Sequence, residues 1–363
     1  MGMTPQLTWE IGTAYDLFTS LNVIHDPARY GLRGSWAAGV RSRLPVEQRE
    51  FLQGAVENHH FWAIPWLVNQ DGSKNSAAIL KKLAAIPAEQ RMKELAAYYM
   101  EEDRQELLFR IADQGTWDAQ DKKALRTQLS EMYKKETGKS KKISDDDLVS
   151  MLEIWANTAE YSQKMLNALQ VYYDVFFKEE ETRILKPLEA RVTEAKSLAK
   201  KLDLPDLLNE LSQGLRFEFD KTQEMEELVL IPSFWTTPLS MFIPFSKDNK
   251  RWLFLFGGRP DGVSLVPGET VPELLYQMLK ALADPTRLRI LRYLSEEPLT
   301  PAELARRLRL RPPTVIHHLD ALRLARLVHV TLSMHGRRYE ARHEAIKTVC
   351  TMLESFLDGE SFT

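Results

Sequence analysis

Seven residues near the carboxyl end, Arg311, Thr314, Ile316, His317, Arg323, Arg337 and Arg338, combine donors that bind phosphate with side chains suited to base edges. Guanidinium groups fork onto phosphate oxygens. Hydroxyl and imidazole groups hydrogen-bond to bases in the major groove, where an aliphatic side chain meets only the thymine methyl. This is the chemistry of binding double-stranded DNA rather than of turnover. The surroundings agree in charge: residues 286–342 hold 12 Arg or Lys against 5 Asp or Glu, an excess of +7 in a chain whose net charge is −3.

Other reactive residues keep the wrong company. Gly138-Lys139-Ser140 echoes the end of a phosphate loop, but Tyr133 stands where the earlier glycine is needed and the segment follows a helical pattern. With Lys134, Lys135, Lys141 and Lys142 around it, it reads as a solvated helix connection. Glu57, His59 and His60 are candidate ligands. Adjacent helical residues point about 100° apart, however, and Phe61 and Trp62 follow, which favours aromatic packing. His343, Glu344, Cys350 and Glu354 are further candidate metal ligands. Their neighbours Ile346, Val349, Leu353 and Leu357 form an apolar stripe in which Cys350, the single cysteine, reads as a small core residue. No dinucleotide glycine fingerprint, nucleophile elbow or metalloprotease helix occurs. The expectation is a protein that is not an enzyme, with no cofactor and no metal.

Helix punctuation shows how the seven residues are positioned. Asp284-Pro285 sets an N-cap acceptor before a proline at the first helical position, and Leu288, Ile290, Leu291 and Leu294 supply the apolar stripe that follows. Thr300-Pro301-Ala302-Glu303 is a capping box opening a second short helix with Leu304 and Leu308 on one face. Pro312 and Pro313 fit only a first turn, so a third helix runs to about Leu324. Val315, Leu319 and Leu322 should face its core, and Pro313, Ile316, His317 and Asp320 the outside. Two short strands at 328–332 and 338–341, around Met334-His335-Gly336, complete a basic hairpin. Helix, helix, tight link, third helix and hairpin is the order of a winged helix-turn-helix.

The wording is similar to that of the ArsR family of bacterial repressors, in Ala281-Leu282-Ala283-Asp284-Pro285-Thr286-Arg287-Leu288-Arg289-Ile290-Leu291, in Thr314-Val315-Ile316-His317-His318-Leu319, and in Leu322-Arg323 and Leu327-Val328. The resemblance covers roughly the last quarter of the chain. It implies that Thr314, His317 and their neighbours approach DNA. The chain departs from the family on that face: Pro312-Pro313 and Ile316 replace a polar pair and a serine, and Asp320 stands where a basic residue is frequent. His317 is then the one obvious polar base reader of the helix, with Arg311, Arg323, Arg337 and Arg338 on phosphates and the wing arginines near the minor groove. Many members of the family sense metals, but 302–308 lacks the paired cysteines of a thiophilic site.

At 363 residues and 44% hydrophobic the chain has material for two or three domains. It has one cysteine, no basic-then-apolar leader and no apolar run long enough for a bilayer, so a cytoplasmic protein without membrane contact is expected. The expected class is mainly α (α+β): residues 1–267 a helical domain with a small sheet, residues 268–363 the winged helix. All eight tryptophans, Trp9, Trp36, Trp62, Trp66, Trp117, Trp155, Trp235 and Trp252, fall in the first part, where some can line an apolar pocket. Helical spacing marks 76–85, 87–100 and 118–137, then a long run capped by Ser144 and reaching about Leu202, with a break expected at Pro187; 205–214 follows. Arg216 to Phe219, 228–231, 239–244 and 251–256 read as the strands of the small sheet, and glycine-rich turns at 257–262 and 267–268 lead into the module. Tyr15-Asp16-Leu17-Phe18-Thr19-Ser20-Leu21, Asp26-Pro27 and Val229-Leu230-Ile231-Pro232-Ser233-Phe234-Trp235 resemble an uncharacterised domain that precedes ArsR-like modules, which implies no ligand or activity.

These expectations combine into a DNA-binding transcriptional repressor that forms a homodimer. Leu274, Leu275, Met278, Leu279 and Leu282, with the 346–357 stripe, would otherwise be exposed. A small-molecule effector other than a metal would act through the amino-terminal region, with 266–282 as the covalent route. An enzyme fused to a DNA-binding module and an adaptor using the winged helix for protein contacts remain alternatives.

Overall fold

The computed structural model describes residues 5–57, 63–137, 143–217, 225–333 and 336–359. His59-His60 and Gly138-Lys139-Ser140 lie outside them, as do Met334-His335. Strand β1 (Gln6–Trp9) precedes α1 (Thr13–His25), a 3-10 turn (Pro27–Tyr30), α2 (Gly34–Ser42), α3 (Val46–Glu57) and α4 (Ile64–Val68). Next come α5 (Ser76–Ala85), α6 (Ala88–Ala96), α7 (Glu102–Gln114), α8 (Ala119–Thr137), α9 (Asp145–Ala156), α10 (Thr158–Tyr172) and α11 (Lys178–Leu198). After α12 (Leu204–Leu211) the chain forms β2 (Leu215–Phe217), β3 (Glu227–Ser233), β4 (Met241–Pro244) and β5 (Arg251–Gly257). It ends with α13 (Glu273–Leu282), α14 (Pro285–Glu296), α15 (Pro301–Leu308), α16 (Pro312–Leu324), β6 (Val328–Ser333), β7 (Gly336–Ala341) and α17 (His343–Leu357). The fold is mainly α with a small mixed sheet.

The long helical run begins as its sequence predicts, Ser144 Oγ accepting from Asp147 N at 3.0 Å. Its breaks lie elsewhere than Pro187. Asn157 leaves the helical region between α9 and α10, and a π-helical turn (Tyr173–Phe177) joins α10 to α11. Pro187 sits inside α11, flanked by the fully buried Ile184 and Leu188. An interior proline costs roughly 3 kcal/mol. Burying two such side chains offsets it at about 1.5–3 kcal/mol each.

The sheet has the order β1-β3-β5-β4, with β1, β3 and β5 parallel and β4 antiparallel to β5. Strands covered on both faces read as continuous apolar runs, which is why 228–231 and 253–256 do not alternate with polar residues. Val229, Ile231, Leu253 and Leu255 face the core shared with α1 to α11. Leu228, Leu230, Phe254 and Phe256 face a second, smaller core with Ala195 of α11 and Leu207, Leu208 and Leu211 of α12. The sheet is thus a partition between two cores. At its carboxyl edge Gly258 N donates to Ser233 O at 2.8 Å. A Cβ on Gly258 would lie 2.9 Å from Leu188 Cδ2 and 3.2 Å from both Pro232 Cβ and Ser233 N, so the turn after β5 is packed closely around a glycine.

The expected strand at 216–219 belongs to another sheet. Its described part, β2, pairs in parallel with β6, Leu215 opposite Val330, and gives the order β2-β6-β7. Leu215 is buried with Val315, Leu319, Leu322, Val328 and Val330 in the third core. Three polar links add to this joint: Arg326 to Asp261 at 2.5 Å, Gln277 Nε2 to Gly31 O at 2.6 Å, and Arg33 to Glu269 at 2.9 Å. Leu274, Leu275 and Met278, expected to await a second copy, are buried within the same third core, because α13 packs on α16 and α17. Leu279 stays 39% exposed.

The tryptophans mostly pack in cores. Trp66 and Trp235 are among the largest fully buried side chains, and Trp235 stacks on Trp36 with ring centroids 6.1 Å apart. None of the described tryptophans lines the large cavity of the amino-terminal region.

Asp16, on α1, is wholly buried. Its Oδ1 accepts from Ser233 Oγ at 2.6 Å and Trp235 N at 2.8 Å, and its Oδ2 from Phe234 N at 3.2 Å. Burial pushes its carboxyl up to about 6, against the donors that pull it down. The folded chain therefore holds this proton at a pH where the unfolded chain has released it. The stability so contributed is present below about pH 4 and is lost as pH rises through about 6. We expect Asp16→Asn to be less stable than the parent at pH 4, since its amide NH2 meets the Phe234 N–H. Urea unfolding should show the gap narrowing by about 2–3 kcal/mol between pH 4 and pH 7; a constant gap would mean that Asp16 does not titrate there.

Candidate nucleic-acid interface

The frame for α16 is set by caps the sequence announces. Asp284 Oδ1 accepts from Thr286 N at 2.8 Å and Arg287 N at 3.0 Å. Arg287 turns back to donate to Ala281 O and Lys280 O, satisfying carbonyls at the end of α13. Thr300 N donates to Glu303 Oε2 at 2.7 Å and Glu303 N to Thr300 Oγ1 at 3.3 Å, a closed capping box. α15 ends at Arg309, whose φ of 55° is left-handed, and Leu310 N donates to Ala305 O at 3.0 Å. That tight reversal delivers Arg311, Pro312 and Pro313 to the start of α16.

Val315, Leu319 and Leu322 are fully buried, as their spacing predicts. Pro313, Ile316, His317 and Asp320 form the outer face, with Thr314 beside them; all are exposed, Ile316 by 46%. His317 and His318 divide in role. Burial holds the His318 imidazole below its usual range, with Asp284 opposing and Arg287 adding to the effect. His317 alone of the pair is exposed.

The arginines separate too. Arg311 is exposed and its side chain caps nothing. Arg323 is half-buried, and burial together with neighbouring Arg337 lowers its pKa. Side chains alternate along β7, so Arg337 shares a face with Tyr339, whose hydroxyl it hydrogen-bonds, while Arg338 turns the other way. Arg338 Nη1 donates to Pro298 O at 3.1 Å and lies 3.9 Å from Glu303. It is thus tied to the start of α15. Arg311, Thr314, Ile316 and His317 come together on one end of α16, and Arg323 and Arg337 at the other.

Residues 284–330 match the family model of the bacterial regulatory protein, arsR family. This stretch is an arsR-family domain. The arsR-family domain is the DNA-binding part of transcription regulators, and DNA-binding regulation is accordingly the broad function of the chain; the family is not one of enzymes. Neither the curated proteins nor the solved structures compared with the chain match it. No described helix is long and apolar enough to cross a membrane. Around the arsR-family domain, Cys350 proves exposed rather than part of the core, because Val349 and Met352 take the inward positions of α17. Among the described residues no group of three His, Cys, Asp or Glu is placed to hold a metal.

Local sequence gave no sign of the residues that orient the domain. β2 looks like any short strand, and Asp261, partner of Arg326, sits in a glycine-rich turn whose only signal is a break in periodicity.

The two wing arginines should behave differently. With Arg337 beside Arg323 of α16, Arg337→Ala should flatten the slope of log affinity against log salt by roughly one unit on any duplex. Arg338→Ala should leave that slope alone and cost at most about 1 kcal/mol of folding stability, as exposed ion pairs do. Equal effects on the salt slope would show both arginines on phosphate.

Proposed function

We propose that the protein is a homodimeric transcriptional repressor whose outer α16 face and wing lie on double-stranded DNA and whose grip is set by a non-metal small molecule bound in residues 1–267, with 268–363 as the DNA-binding part. One observation carries the DNA contact: Arg311, Thr314, Ile316 and His317 stand exposed together at the start of a recognition helix framed by an arsR-family match. Arg323 and Arg337 extend that surface with positive charge. His317→Ala should relax discrimination at one base position by about 1–3 kcal/mol, measured by competition between single-base operator variants selected from genomic fragments. No duplex binding at low salt would favour the adaptor reading, in which the winged helix meets protein.

Dimerisation is supported by what remains uncovered. On α17, Ile346 is 45% and Leu357 72% exposed, and Cys350 lies between them on the same stripe; Leu279 is exposed on α13, the helix that packs against α17. Four apolar positions on neighbouring helices favour a second copy as their cover. Ile346→Glu should give a monomer by sedimentation equilibrium and weaken operator binding roughly tenfold or more, since each half-site then binds alone. A dimer that survives this change places the interface elsewhere. Because a single cysteine cannot form the thiolate pair of a thiophilic site, added zinc or a chelator should shift DNA affinity by less than about threefold.

A further inference from the structure

A cavity of about 1300 Å³ opens between α1, α3, the 97–104 segment and β4. Resting on the reading that the amino-terminal region is the sensor, we propose that this cavity is the effector site and takes an amphipathic acid, an apolar body bearing one carboxylate. Phe18, Phe51, Leu52 and Leu169 give it an apolar wall, and Met100, Met132, Met165 and Met241 line it with thioethers that adapt to irregular apolar shapes.

Arg104 marks the carboxylate end. Its side chain is only 11% exposed, yet its five donors are poorly spent. Nη2 reaches Glu101 at 3.1 Å, Nη1 rests on the weakly accepting sulfur of Met132 at 3.2 Å, and Nε is buried without a hydrogen-bond partner. A nearly buried cation calls for full hydrogen bonding. A ligand carboxylate on the cavity wall supplies the missing acceptors. A cationic head would meet Arg104, Lys135 and Lys247; of the three carboxylates on the wall, Glu101 and Glu102 are already paired with those residues, which leaves Asp103 as its one acidic partner against the under-bonded Arg104.

The occupant is also well placed to be felt. Phe18, Thr19, Leu21 and Asn22 of α1 line the cavity, and the same helix runs through the 3-10 turn to Gly31, whose carbonyl accepts from Gln277 of α13. Two residues on, Arg33 pairs with Glu269 and lies over the Tyr276 ring at 5.6 Å. A ligand bears on DNA only by favouring one position of this lever over another.

The test uses the full chain and the probe 1-anilinonaphthalene-8-sulfonate, an aromatic body with an acidic group, displaced by decanoate or decylamine. Decanoate should displace it at least tenfold more effectively than decylamine, and Arg104→Gln should weaken decanoate roughly 10- to 100-fold, the usual loss for a hydrogen bond to charge. Ala55→Phe, which fills the cavity, should weaken probe and decanoate alike; should it fail to fold by circular dichroism, Arg104→Gln alone decides. Equal displacement by amine and acid, or an acid preference that survives in Arg104→Gln, overturns the site. Decanoate should also change operator affinity by about 5- to 150-fold in the parent and not in Arg104→Gln. Arginine-dependent binding with unchanged operator affinity would keep the site and overturn its role as sensor, whereas failure to bind any DNA would sink the proposed function and leave the displacement result to judge the cavity.

Discussion

The position of α1 depends on one buried carboxylate. Asp16 takes three donors from the turn that follows the central strand, two of them backbone N–H groups of Phe234 and Trp235 that have no other way to be satisfied once buried. Removing it would strand those donors, at about 1–3 kcal/mol each. More than stability hangs on the contact. α1 contributes four residues to the cavity wall and leads to the Gly31 carbonyl on α13, so the joint between helix and sheet fixes both ends of that path.

A second joint works differently. The partition sheet buries Leu228, Leu230, Phe254 and Phe256 against α12, and α12 runs directly into β2, which adds to the edge of the wing sheet. Strand addition is directional and registered, Leu215 against Val330 and Phe217 against Leu332, so it sets orientation as well as distance. Slipping by one residue would turn Leu215 out of the core it fills. The arsR-family domain is therefore held on the wing side by a hydrogen-bonded strand and the Arg326–Asp261 pair, and separately by polar contacts at α13. The strand is the stiffer of the two, while the α13 contact rests on Gln277 and the Arg33–Glu269 pair.

What was legible in the sequence was local. Asp284, Thr300 with Glu303, and Ser144 act on backbone groups two or three residues away, and a core stripe such as Val315, Leu319 and Leu322 declares itself by spacing alone. Illegible features pair residues far apart in sequence. β1 is too short to stand out, and its partner β3 follows twelve α-helices later. Pro187 misled because propensity is a weak term beside the burial of Ile184 and Leu188. Cys350 misled for a related reason: two faces of α17 are apolar, and only the packing of α13 decides which turns inward. In the candidate site, spacing alone left Arg337 and Arg338 alike, since alternation along β7 separates them only once the strand's partner helix is known.

The outer face of α16 suggests how the proposed dimer would divide its labour. In that reading His317 would be its main polar base reader with Thr314 beside it, Ile316 would meet only a thymine methyl, and Asp320 would repel the phosphate backbone. Most affinity must then come from arginines, which bind any sequence and weaken with salt. Discrimination by one such helix would be slight. Two helices held at a fixed separation add a geometric condition that a random duplex seldom meets, so specificity would reside in the spacing more than in the contacts. An effector that shifts each domain would alter that spacing while leaving every arginine intact. It would release the operator and spare nonspecific binding, a separation that a device acting on the arginines themselves could not achieve.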